Sequence, residues 1–170
     1  MITPAYCRTM AAYNSEMNRR IYAAVSRLSD AERRRDRGAF FGSLHATLVH
    51  LLWGDCQWMS RIDGWERPTT PIKESGHMIE NYAELCAERI KTDAGIEDWA
   101  RRVDERWLDA DMTWFSLAAN HEVTAPRRLL VTHFFNHQTH HRGQAHALIT
   151  AAGEKTADTD LFLVVPAVTA

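Results

Sequence analysis

The sequence predicts an all-α chain, a four-helix bundle. Three observations carry this. Four long segments place apolar residues at steps of three and four, so each buries one helical face. The connections between them are short and rich in glycine, proline and charge. One stretch alone departs from the helical pattern, and it has the size of a small β-hairpin. The length, 170 residues, suits one domain over 1–170 with a single core. No internal repeat and no low-complexity stretch interrupts it.

The first helix is expected from Ala5 to Leu28, with Met10, Tyr13, Met17 and Ile21 on one face. Thr3 can cap it and Pro4 suits its first turn. Ser29 to Gly42 reads as a connection with a short helical turn at Asp30 to Arg34. Ser43 caps the second helix, LHATLVHLLWGDCQWMSRI, which ends near Ile62 before the stop signal Asp63-Gly64. WERPTTPIKESG reads as a loop. The third helix is expected from about His77 to Leu108, with a kink or break where Thr92, Asp93 and Gly95 interrupt its apolar pattern. MTWFSLAANHEVTAP holds two runs rich in aromatic and β-branched residues around Ala119-Asn120, the signature of a hairpin. A fourth helix follows from about Ala125 to Ala152, with Thr124 as its cap, Pro126 in its first turn and Gly153 as its terminator. The tail is a polar loop, then the short apolar run LFLVVPAV, which Pro166 breaks.

Composition narrows the function classes. The net charge is −2 with both signs interleaved, so no field draws the chain onto nucleic acid or an anionic membrane. The basic run from Glu32 to Arg37, ERRRDR, reads as a solvated loop or helix end rather than a phosphate-binding patch. Three cysteines, Cys7, Cys56 and Cys86, form no CxxC pair and leave an odd count, which points to a reducing, cytoplasmic setting. No apolar stretch is long enough to span a bilayer, and the N-terminus lacks an apolar signal core.

The densest chemistry lies in HFFNHQTHHRGQAH, residues 133–146. It gathers five of the chain's nine histidines on the fourth helix: His133, His137, His140, His141 and His146. At about 100° per residue, His137 and His141 share one face, one turn apart. His140 and His146 fall off that row, and His133 drifts from it. An i, i+4 histidine pair presents two parallel imidazoles to one ion, but two ligands seldom hold a metal. A third must come from a facing helix. His50 on the second helix lies close to the apolar stripe; His45 points elsewhere, and His77 and His121 lie in or beside loops. A single histidine in His50's position is more often a hydrogen-bonded core residue. Phe134, Phe135 and Leu148 mark the neighbourhood as partly buried, and burying two imidazoles without a task costs desolvation. Together these make a metal site the favoured reading.

Asp55 and Gln144 are candidates to hold a ligand imidazole by its second nitrogen. An ion pair between Asp55 and Arg142 is the competing role for that carboxylate. Gly143 reads as a close-packing residue. Trp53, Trp58 and Trp114 are expected in the core rather than in a pocket wall. No Ser/His/Asp order, glycine-rich phosphate loop or paired carboxylates stand out, and Cys56 points away from His50.

HFFNHQTHHRGQAHALIT closely resembles the signature segment of the DinB/YfiT-like superfamily of metalloenzymes. GSLHATLVHLLWGDCQWMSRI resembles its second-helix signature, in which a histidine precedes an aspartate by five residues, here His50 and Asp55. WERPTT and TDLFLVVP are also similar to members of the family, so the likeness covers nearly the whole chain. It implies a four-helix bundle and a divalent transition metal held by His50, His137 and His141, with zinc or nickel foremost and iron or copper as alternatives. It further implies a homodimer and, on a small electrophilic substrate, either metal-activated thiolate chemistry with a low-molecular-weight thiol, such as S-transfer or isomerisation, or metal-assisted hydrolysis. The alternative is a non-catalytic metal-binding or stress-response protein.

Overall fold

The structure of the chain, a computed structural model, describes residues 2–116 and 119–165. Its long helices are α1 (Pro4–Val25), α3 (Leu44–Ile62), α4 (Tyr82–Arg102) and α6 (Arg127–Ala151). Shorter elements join them: α2 (Asp30–Arg34), a 3₁₀ segment (Ile72–His77), α5 (Glu105–Leu108), a hairpin of β1 (Asp111–Ser116) and β2 (His121–Pro126), and α7 (Leu161–Val164). Leu117 and Ala118 lie outside the described residues, as do Met1 and the stretch 166–170 that includes Pro166 of the apolar tail.

Local chemistry sets the helix starts. Thr3 Oγ1 accepts from the Tyr6 N–H at 3.1 Å and Pro4 opens α1, so two expected signals are met. Ser43 Oγ accepts from the Ala46 N–H at 3.1 Å and starts α3. Gly153 ends α6 at φ +84°, a left-handed conformation that glycine adopts without steric cost. The basic run is paired with carboxylates: Arg34 with Asp30 and Glu80, and Arg35 and Arg37 with Glu32. No described helix is long and apolar enough to cross a membrane. Cys7, Cys56 and Cys86 are all free.

Three expectations need correction. The third long helix starts at Tyr82, where Asn81 Oδ1 accepts from the Ala83 and Glu84 N–H groups; His77 closes the 3₁₀ segment instead. The break expected at Thr92–Gly95 is absent. Thr92 and Asp93 are buried polar residues of the bundle, and Gly95 makes room for the Trp65 indole, whose Cη2 would lie 2.7 Å from an added Cβ. The chain breaks later, at Val103, and Asp104 caps α5. Thr124 does not cap α6. It pairs with Thr113 across the hairpin, their hydroxyls 2.7 Å apart, and Pro126 ends β2 rather than entering the helix.

The core is divided. One apolar cluster, including Cys7, Ala11, Met59, Ile96, Trp99, Phe134 and Phe135, fills the hairpin end. A second, including Ile21, Leu48, Leu52, Leu85, Ala145 and Ile149, fills the other end. Between them each long helix contributes buried polar residues: Asn14 and Asn18, Asp55, Arg89 and Asp93, Gln138 and Arg142. Arg89 Nη1 donates to Asp55 at 2.6 Å, and Nη2 lies 2.8 Å from Asp93 but off the line of a hydrogen bond. Asn14 and Asn18 donate to the same Asp93 oxygen, at 3.2 and 2.9 Å. Burial works against the Arg89 charge, but Asp93 and Asp55 outweigh it and hold the guanidinium protonated. Burial also pushes the Asp93 carboxyl up to about 6.

Arg89→Ala strips the counter-charge from two buried carboxylates. We expect a loss of about 3–5 kcal/mol in urea unfolding at pH 8. The loss shrinks at pH 5, where Asp93 folds protonated and needs no cation.

Candidate metal centre

Helices α3 and α6 lie antiparallel, and their contacts climb in step. His50 meets His141, Gly54 meets His137, and Trp58 meets His133. This ladder converges three imidazoles. One ring nitrogen from each of His50, His137 and His141 lies within 4.8 Å of the others. The Nε2 atoms of His137 and His141 are 3.1 Å apart. Two nitrogens at ~2.1 Å from one ion stand roughly 3.0–3.4 Å apart for angles between octahedral and tetrahedral, so this spacing suits a shared ion.

The far nitrogens are held. Ser75 Oγ donates its proton to the Ile72 carbonyl at 2.7 Å, so it can only accept from His50 Nδ1–H, also at 2.7 Å. The His50 Nε2 lone pair is therefore free for the centre. His141 Nδ1 lies 2.7 Å from Gln144 Oε1, which only accepts, so His141 also presents Nε2 as a lone pair. Gln144 is oriented in turn by His140 Nε2, 3.2 Å from its amide nitrogen. The buried Nδ1 of His137 finds no hydrogen-bond partner among the described residues.

All three rings are neutral at pH 7. Burial, then the neighbouring His141, His50, His133 and His140, push His137 down to about 3. Burial and then His141 push His50 down to about 4. Burial lowers His141 too, against the opposing Gln144. Crowded neutral imidazoles are what a cation requires of nitrogen ligands. The residues present fit a divalent metal.

Of the two residues singled out from sequence to hold a ligand imidazole, Gln144 lies against His141. Asp55 does not. Its oxygens accept from Arg89 and from Gln138 Nε2 at 3.0 Å, and it hydrogen-bonds no histidine. Nor does it pair with Arg142, which reaches Asn14 and Thr139 and faces the Tyr13 ring. A carboxylate inside the bundle takes the nearest buried cation, and Arg89 supplies it. His45 turns to the Ile79 carbonyl at 2.9 Å. His133 and His140 are exposed, and His146 bonds Thr156. Trp53 is buried, whereas Trp58 and Trp114 are only half-buried.

Sequence reasoning missed three residues. Ser75 sits in a segment read as loop, 25 residues from its partner His50, and nothing local marks it. Phe41 stacks on His50, with ring centroids 4.0 Å apart, and approaches His141 at 5.7 Å. Gly54 is the close-packing glycine, not Gly143, beside which an added Cβ would meet nothing. A Cβ on Gly54 would lie 2.7 Å from His137 Cε1. Its signal was a glycine inside a helix, four residues after His50, where it costs about 1 kcal/mol relative to alanine.

Gly54→Ala therefore separates folding from binding. The added methyl displaces the flexible end of His137, so metal affinity drops about tenfold or more while urea stability holds or rises. Ser75→Ala should weaken metal binding about 10–100-fold by freeing the His50 ring. Both are read by competition with a chromogenic chelator. In metal-free protein the unfolded histidines take up protons near 6.5, whereas folded His50 and His137 do so only near 4 and 3. Stability should thus fall as pH drops from about 6.5 towards 4, and His137→Gln should flatten that fall in thermal melts.

No curated protein matches the chain significantly. A family model described as the DinB family matches residues 1–166. With a helical bundle in place and a three-histidine cluster spanning α3 and α6, the chain belongs to the DinB family.

Proposed function

We propose that the chain is a divalent-metal-dependent enzyme that carries out S-transfer from a low-molecular-weight thiol, or hydrolysis, on a small electrophilic substrate. The observation that carries this reading is the ligand set itself: three neutral nitrogens and no carboxylate. Three such ligands neutralise none of the ion's charge and leave coordination positions open, the pattern of catalytic rather than structural sites. An ion held there supplies Lewis acidity and eases deprotonation of a coordinated water or thiol. Nitrogen donors suit zinc or nickel, and also iron or copper.

The chain's own residues supply the rest. Ser75 and Gln144 fix two imidazoles in the tautomer that aims Nε2 at the centre. Phe41 and Trp53 flank His50 and exclude water from that side. Gly54 leaves the room that lets the His137 ring lie between the two helices.

Elemental analysis of untagged protein tests this. We expect near-stoichiometric metal, lost in His50→Ala, His137→Ala and His141→Ala and kept in His140→Ala. Absence of metal after soaking with zinc, nickel and other divalent ions would sink the reading. Bound metal that exchanges no external ligand, such as azide on the cobalt-substituted protein, would instead favour a non-catalytic metal-binding protein.

A further inference from the structure

The α3–α6 ladder continues beyond the metal centre. One turn past Gly54 and His137, the Trp58 indole meets the exposed His133 ring at 4.9 Å between centroids. One turn further along α3, the Arg61 guanidinium lies 4.7 Å from the Trp58 centroid and 5.8 Å from that of Trp114, which reaches over from β1. Trp58 and Trp114 meet edge to face at 6.1 Å. The result is a half-buried cation on an aromatic floor, next to the histidines.

Arg61 differs from the arginines that are held in ion pairs. Arg89, Arg102 and Arg128 each reach carboxylates. Among the described residues, no carboxylate and no hydrogen-bond acceptor meets Arg61, although Asp63 is two residues away. Asp63 is committed to Arg102 and to the Trp65 N–H. The charge that acts on Arg61 is that of another cation, Arg67, which donates a 3.4 Å bond to Gln57 and meets no carboxylate among the described residues. Burial and Arg67 both act against the Arg61 charge. A guanidinium over an indole that meets no acceptor retains its N–H donors, and their fork matches a planar carboxylate with two parallel hydrogen bonds.

We infer that Arg61, resting on Trp58 and Trp114 beside His133, anchors a carboxylate on the small molecule processed at the histidine cluster. Trp58 and His133 lie between the guanidinium and His137, so they offer flat faces to the body of a carboxylate-bearing substrate whose reactive end reaches the centre. Arg61 is a specificity-determining residue in this scheme, and Arg67 strengthens the local positive potential. The role at the cluster rests on the proposed function; the anion subsite itself does not.

Calorimetric titration with benzoate, its neutral isostere benzamide and inorganic phosphate tests this on metal-free and zinc-loaded protein. We expect benzoate to bind both forms at least about tenfold more tightly than benzamide, and more tightly than phosphate. Arg61→Gln should remove that preference, and Arg61→Lys should restore part of it, with thermal melts and metal content unchanged in both. Equal binding of benzoate and benzamide, or a preference that survives Arg61→Gln, overturns the inference. An Arg61-dependent preference for phosphate overturns the carboxylate assignment. Binding of benzoate only when zinc is present, insensitive to Arg61→Gln, places the anion on the metal and overturns it too. Failure of the metal reading looks different: no zinc is retained, yet Arg61-dependent benzoate binding persists.

Discussion

The fold hangs on one buried guanidinium. Arg89 lies between Asp55 and Asp93 in the middle of the bundle, with Asn14, Asn18, Gln138 and Arg142 completing the layer. Two carboxylates and two guanidiniums cancel in charge, so the layer is tolerable only with all four long helices at one relative height. Sliding one helix by a turn would bury a charge without its partner, which costs several kcal/mol. Apolar clusters above and below supply the driving force but tolerate exchange of one aliphatic contact for another. The polar layer supplies the register.

That register also builds the histidine cluster. Asp55 follows Gly54 in the chain, and Gln138 follows His137. The Asp55–Gln138 hydrogen bond therefore clamps α3 to α6 at the height where the glycine receives the imidazole. The ion pair faces the inside of the bundle and the histidines face its flank, on successive residues of the same two helices. Asp55 thus serves the centre by position rather than by touching a ligand.

Much of this was legible in the sequence, because it is local. Thr3, Ser43 and Gly153 mark helix ends through bonds or dihedrals within a few residues, and His137 and His141 are brought together by helical pitch alone. His50 needed a facing helix, and the family likeness pointed to the same residue. What failed was tertiary. Thr92 and Asp93 looked like an interruption because their inward polarity is meaningful only beside Asn14, Asn18 and Arg89. Asp55 was matched with Arg142 or a histidine because its partner Arg89 is 34 residues away. Ser75 and Phe41 reach the centre from connections whose path no periodicity describes.

Phe41 has a further consequence. It rises from a tight turn in which the Gly42 N–H donates to the Ala39 carbonyl at 2.7 Å, and it covers the His50 and His141 end of the cluster, whereas His137 neighbours the His133 ring at 5.9 Å. The two ends of the cluster therefore differ in chemistry, with an apolar ring at one and a further imidazole at the other, so the surroundings of the three histidines run from oily to polar along the helix pair.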